Sequence, residues 1–126
     1  MQTNAATDRL VQRATADNMA AMYVGGAGGD AAAALLRAPL ANPLHADLAG
    51  HPPAFLAAGT HETLADNVDR FAERARAAGV EVEVQRQPGQ QHVYVFMAGR
   101  APEADETVRN AGLWLRAKLG LAVVVG

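Results

Sequence analysis

The chain contains no cysteine, no serine and no isoleucine, and it carries one lysine against ten arginines. Each gap excludes something. Without cysteine there are no disulfides, no zinc–thiolate sites and no thiol nucleophile, a composition that suits a reducing compartment. Without serine, a serine nucleophile cannot come from these 126 residues. Aromatics are only 5%, so a core must be built from Leu, Val and Ala; the 29 alanines supply nearly half of the 50% hydrophobic content. Charged residues are 19% and the net charge is -2, which leaves no basic field to hold a phosphate backbone and excludes nucleic acid as a partner. The longest apolar runs, Ala31 to Leu36 and Leu121 to Val125, fall far short of the roughly 20 residues of a membrane span. The opening MQTNAATDRL has neither the basic nor the apolar region of a signal peptide. One soluble, cytoplasmic domain is the expectation.

Periodicity divides what is there. A helix is predicted over 7–23, with Leu10, Val11, Ala14, Ala21 and Met22 on one side. The run Val24-Gly25-Gly26-Ala27-Gly28-Gly29 ends it; following a helix and lacking a Gly-Lys-Ser/Thr ending, it reads as a turn and not a phosphate loop. A short Ala-rich helix capped by Asp30 runs to Arg37, after which Pro39 and Pro43 enforce extended or turn conformations. Beyond His51-Pro52-Pro53 the character changes. Ala54 to Ala58 is wholly apolar and ends at Gly59, the pattern of a strand buried on both faces. Leu64, Val68, Phe71, Ala75 and Ala78 then mark a helix over 63–78, with Thr63 and Asp66 at capping-box spacing and Gly79 as the stop. Glu81 to Gln87 alternates with period two, a second strand with one exposed face or an edge position. Pro88-Gly89 breaks it, and a last helix runs from Pro102 to Leu119 with Val108, Ala111, Leu115 and Leu119 as its apolar stripe.

Strand, helix, strand, helix is a βαβα unit, which requires parallel strands and a right-handed crossover. Two such strands leave open sheet edges and unpartnered helix faces, so the chain is expected to pack poorly alone, to bind a hydrophobic dye, and to offer a sheet edge for association. Parallel strands end on the same edge of the sheet, where ligands and catalytic groups collect. Two loops leave that edge: Gly59-Thr60-His61-Glu62 brings a carboxylate and Pro88-Gly89-Gln90-Gln91-His92 an imidazole. Glu62 is then placed to accept the Nδ1 proton of His92, the pairing of a base and its orienter. Acid after one strand and histidine after the next also matches the last two steps of the hydrolase order nucleophile, acid, histidine. His45, His51 and His61 do not extend this to a metal site, because His61-Glu62 lacks the second histidine of a His-Glu-x-x-His helix. None of the six threonines lies in Gly-x-Thr-x-Gly, so no threonine replaces the missing serine.

Four segments carry a resemblance. Asn42-Pro43-Leu44-His45-Ala46-Asp47-Leu48, His51-Pro52-Pro53, Gly59-Thr60-His61-Glu62-Thr63-Leu64-Ala65-Asp66 and Pro88-Gly89-Gln90-Gln91-His92-Val93-Tyr94 occur in the order seen in the hormone-sensitive-lipase-like branch of the α/β-hydrolases, a family of serine carboxylesterases and lipases. The chain resembles the C-terminal part of such an enzyme over roughly residues 2–119. The resemblance implies a partial α/β-hydrolase fold: a helical cap-like segment at 1–50, the C-terminal part of the hydrolase domain at 51–120, and a tail at 121–126. It implies that Glu62 is the triad acid, more often Asp in the family, that His92 is the catalytic histidine, and that Asp66 is a second acid supporting the loop. The family's Gly-x-Ser-x-Gly elbow and His-Gly-Gly-Gly oxyanion loop precede the matched part, and neither occurs here.

The implied function is therefore one part of carboxylic-ester hydrolysis on a small-molecule ester, with no metal or organic cofactor, by a chain inactive in isolation. The other reading is a non-catalytic relative acting as a binding or interaction module. Because the resemblance is already running at Gln2-Thr3-Asn4, the coding sequence before Met1 is expected to contain the oxyanion loop and the serine elbow.

Overall fold

The structure, a computed structural model, describes residues 4, 6–25 and 29–122. The elements, in chain order, are α1 (Arg13–Tyr23), α2 (Gly29–Arg37), a 3₁₀ turn (Pro43–His45), β1 (Ala54–Gly59), α3 (Ala65–Ala77), β2 (Val82–Gln87), a second 3₁₀ turn (Tyr94–Met97) and α4 (Pro102–Lys118). Gly26 and Gly28 of the glycine run, and Val123 to Gly126 of the tail, lie outside the described residues.

The βαβ expectation holds in register. β1 and β2 pair in parallel from Ala54 opposite Val82 to Gly59 opposite Gln87. Alternation then sorts the side chains onto two faces. Leu56 and Val82 share the α3 face, where Val82 and Phe71 pack against the buried Leu48, Ala75 and Val80. Phe55 and Gln85 share the other face, covered by α4: Phe55 meets Trp114 with ring centroids 5.8 Å apart, and Gln85 donates to the Thr107 hydroxyl at 2.9 Å. α3 stops as expected, with Gly79 at φ 80° and the Val80 amide returning to the Ala75 carbonyl at 2.9 Å. The core thus gathers near the beginnings of the strands, leaving their C-terminal ends for other uses.

Some expectations need correction. The first helix begins at Arg13, not near Thr7, because the Asp8 carboxylate accepts the Leu10 and Val11 amides at 2.8 and 2.9 Å and holds the chain in a turn. None of α1 is buried, and Leu10 and Met22 of the expected apolar side are exposed. Leu64, not Thr63, occupies the cap position of α3, and the Thr63 hydroxyl donates to the Val11 carbonyl at 2.8 Å. β1 is half-buried at Ala54 to Leu56, exposed at Ala57 and buried only at Ala58 and Gly59, since among the described residues it has a strand on one side only. On α4 the buried residues are Ala104 and Thr107, while Val108, Leu115 and Leu119 of the apolar stripe are exposed, as expected of a helix face without a partner layer. The helix turns that way because Gln85 and Tyr94 both require the Thr107 hydroxyl.

Among the described residues no helix is long and apolar enough to cross a membrane.

Candidate active site

Everything that meets at the C-terminal edge of the sheet depends on Gly59. A Cβ there would overlap the backbone carbonyl of Gln90, so only glycine lets the loop after β2 lie across the end of β1. The contact is stitched by backbone and short side chains. The Thr60 amide donates to the Gln87 carbonyl and the His61 amide to the Gln90 carbonyl, while the Gly89 amide donates to the Thr60 hydroxyl at 2.9 Å. This crossing brings the two chemistry-bearing side chains together.

Glu62 Oε1 lies 3.8 Å from His92 Nδ1. That is too long for a hydrogen bond and within the range of an ion pair. The acid is buried at 4% exposure, and its other oxygen accepts the Gly59 amide at 3.1 Å. The histidine is half-buried. Catalytic hydrogen bonds are often long until substrate is bound. Such an arrangement can hold an imidazole in one tautomer and stabilise it when it takes a proton.

His92 is followed by an abrupt turn. Val93 has φ 52°, a left-handed conformation that a β-branched residue seldom adopts, and it redirects the chain into the turn at Tyr94–Met97. Tyr94 is buried and its hydroxyl lies 2.8 Å from the Thr107 hydroxyl. Thr107 also donates to the Glu103 carbonyl, and Asn110 reaches Gln85 at 3.2 Å. A polar network under the loop therefore ties the residue two beyond His92 to α4 and β2.

An open cleft of about 520 Å³ runs beside the pair. Leu44, Leu56, Val68 and Phe71 give it an apolar wall, and Glu62 and His92 both line it. Asn42, whose side chain accepts the Leu44 amide at 3.1 Å and so shapes the Pro43–His45 turn, contributes a polar group.

The other candidates go elsewhere. His51 bonds the Pro52 carbonyl through Nδ1 at 2.7 Å and packs edge-on to Phe71. His61 is exposed. Asp66 sits in the first turn of α3, where a carboxylate favours the helix dipole. Sequence reasoning missed a third component: Asn4 and residues 6–11 lie over both loops. The Asp8 carboxylate accepts the Thr63 amide at 2.6 Å, the Asn4 amide group donates to the Thr60 and Glu62 carbonyls at 2.8 and 3.1 Å, and Gln91 exchanges hydrogen bonds with Arg9 and Thr7 at 2.7 and 3.0 Å. Burial acts to raise the pKa of Asp8, but hydrogen bonds from the Thr63, Val11 and Leu10 amides hold the carboxyl below its ordinary value. The readable signal was Asp8 two and three residues before amides it can capture, an Asx turn.

The chain is similar to known proteins. A family model described as the alpha/beta hydrolase fold matches residues 1–96. An acetyl-hydrolase of Streptomyces hygroscopicus is 33% identical over 118 residues, covering 94% of this chain and 37% of the relative. The carboxylesterase NlhH of Mycobacterium tuberculosis is 44% identical over 64 residues, covering 51% of this chain and 20% of the relative. Among solved structures, a hormone-sensitive lipase from a metagenome library superposes with a TM-score of 0.82 at 32% identity, covering 93% of this chain and 38% of that one. An esterase of the bacterial hormone-sensitive lipase family gives 0.82 at 35% identity, covering 93% and 37%. The chain thus spans little more than a third of the length of such relatives.

Proposed function

This chain belongs to the α/β-hydrolase fold family, in its hormone-sensitive-lipase-like branch, and from that premise we propose that it carries two members of a carboxylic-ester hydrolase triad. In this reading His92 is the general base that takes the proton of a serine hydroxyl and then returns it to the departing alcohol. Glu62 orients the imidazole and stabilises its protonated form. The serine and the oxyanion donors come from polypeptide outside these 126 residues, and the substrate is a small-molecule ester. In the same reading residues 1–50 are a helical cap-like segment, 51–120 the C-terminal part of the hydrolase domain, and 121–126 a tail. Absence of cysteine supports a cytoplasmic setting.

The observation that carries the proposal is the meeting of Glu62 and His92 at the C-terminal ends of adjacent parallel strands, beside an apolar cleft. The test is hydrolysis of short-chain p-nitrophenyl esters, first by the chain alone and then by the chain joined to a preceding segment that carries a serine elbow and an oxyanion loop. The chain alone is expected to be inactive. The joined protein is expected to turn over, to lose on the order of 10⁵-fold in kcat with His92→Ala, and to lose less with Glu62→Gln. Turnover by the chain alone that disappears with His92→Ala would reveal a nucleophile within it. A joined protein indifferent to His92→Ala would remove the histidine from the reaction.

The edge of β1 that no strand pairs with among the described residues, and the exposed Val108, Leu115 and Leu119, favour a second reading, a non-catalytic module that associates through these surfaces. It predicts that joining the preceding segment restores no hydrolysis although the chain is folded.

A further inference from the structure

We propose that Asp8 is a positioning residue for the Glu62–His92 pair, acting from a strap at the opposite end of the chain; this rests on the reading of that pair given above. The argument begins with one peptide unit. The carbonyl of Glu62 accepts the Asn4 side chain at 3.1 Å, and the amide of Thr63, the other half of the same planar group, donates to Asp8 Oδ2 at 2.6 Å. Both ends of the peptide that follows the acid are therefore held by the strap. A peptide plane fixed on both sides fixes the direction in which the Glu62 side chain leaves the backbone. From there Oε2 finds the Gly59 amide at 3.1 Å, and Oε1 is left facing His92.

Asp8 also controls the histidine loop, by a different route. Its Oδ1 accepts the Leu10 and Val11 amides, which sets the turn of the strap. The backbone groups on either side of it, the Thr7 carbonyl and the Arg9 amide, bind the two ends of the Gln91 side chain at 3.0 and 2.7 Å. Gln91 immediately precedes His92. One buried carboxylate, 2% exposed, thus sets the acid loop through its side chain and the histidine loop through the turn it maintains.

A carboxylate suits this place because it only accepts. Both oxygens face donors, so Asp8→Asn, of nearly equal volume, turns one oxygen into a donor pointed at another donor. Asp8→Glu keeps the charge and the acceptors on a longer stem and is the conservative control.

The test reads a bond that Asp8 does not itself make. Amide hydrogen exchange is measured at Gly59, whose partner is Glu62, and at Val80 in the core, in the full chain and in Asp8→Asn, Asp8→Glu and Glu62→Gln. Asp8→Asn is expected to speed exchange at Gly59 by about tenfold, approaching Glu62→Gln, while Val80 stays within about twofold and Asp8→Glu falls between. In the joined esterase Asp8→Asn is expected to lower kcat with KM unchanged. Equal acceleration at Gly59 and Val80 would make Asp8 a structural residue only. A Gly59 amide already unprotected in the unaltered chain, or unmoved by Asp8→Asn, would overturn the proposal. Exchange requires no hydrolysis, so failure of the esterase reading and failure of the strap are seen separately.

Discussion

The two ends of this molecule are built on opposite principles. At the C-terminal edge of the sheet, polar side chains from distant parts of the chain are matched almost group for group: Asp8 with Thr63, Asn4 with Glu62, Gln91 with the strap, Thr107 with Tyr94 and Gln85. Along the outer face of α4 and over α1, large apolar residues stand uncovered, Met22 at 71% and Leu119 at 62% exposure among them. A folding unit that spends its hydrogen bonds on one edge and leaves its apolar surface open has a pre-arranged site and an unfinished body. Local hydrogen bonding can order two loops with few partners, whereas burial of apolar area needs a second layer, and a two-stranded sheet does not supply enough of one.

The contrast is tested most severely at Gly59. Gly59→Ala drives a methyl group into the Gln90 carbonyl, and the expected cost is about 3 kcal/mol in denaturant unfolding together with loss of the His92–Glu62 approach. If the alanine variant is as stable as the parent, the crossing of the two loops is looser than described. Next comes Thr107→Val, which keeps shape and removes the hydroxyl shared by Tyr94 and Gln85; about 2 kcal/mol is expected, read as a shift of the urea midpoint.

Asp8 follows, with a signature in pH. Because its carboxyl is held below the ordinary value of 3.8, its contribution is fully present above that value and is lost as pH falls through the lowered native one. Asp8→Asn is expected to cost about 1.5 kcal/mol at neutral pH, and the gap to the parent chain should narrow in acid, measured as stability against pH. A gap that widens in acid would contradict the bonding described. The smallest effect is expected on the open side. Leu115→Gln should change stability of the chain by no more than about 0.5 kcal/mol and should reduce binding of a hydrophobic dye. A large loss there would mean that the face is already covered.

Much of the architecture was legible beforehand, for identifiable reasons. Ala54 to Ala58 could be read as a strand because an apolar run closed by proline and glycine has few alternatives, and β2 because Glu81 to Gln87 alternates. Parallel pairing follows from chain order, since a strand, a helix and a strand in one sheet connect in one sense. That same rule placed Glu62 and His92 on one edge. The stripe on α4 was legible as an apolar face left without a partner, but the inward turn of Thr107 was not, because a single hydroxyl leaves no periodic signal. Asp8 was misread because Thr7-Asp8-Arg9-Leu10 is compatible with a helix until its carboxylate takes the amides of Leu10 and Val11.

What the sequence determined by itself is therefore the order and kind of the central elements, the parallel sense of the strands and the two loops that carry the acid and the histidine, all consequences of local periodicity and connectivity. Only the tertiary structure decided that the Asp8 carboxylate meets the Thr63 amide 55 positions away, that Gln91 reaches Thr7 across 84, and that α4 turns Thr107 inward in place of Val108. Those outcomes rest on which donors and acceptors the folded backbone brings within about 3 Å of one another, a distance that no spacing along the chain encodes.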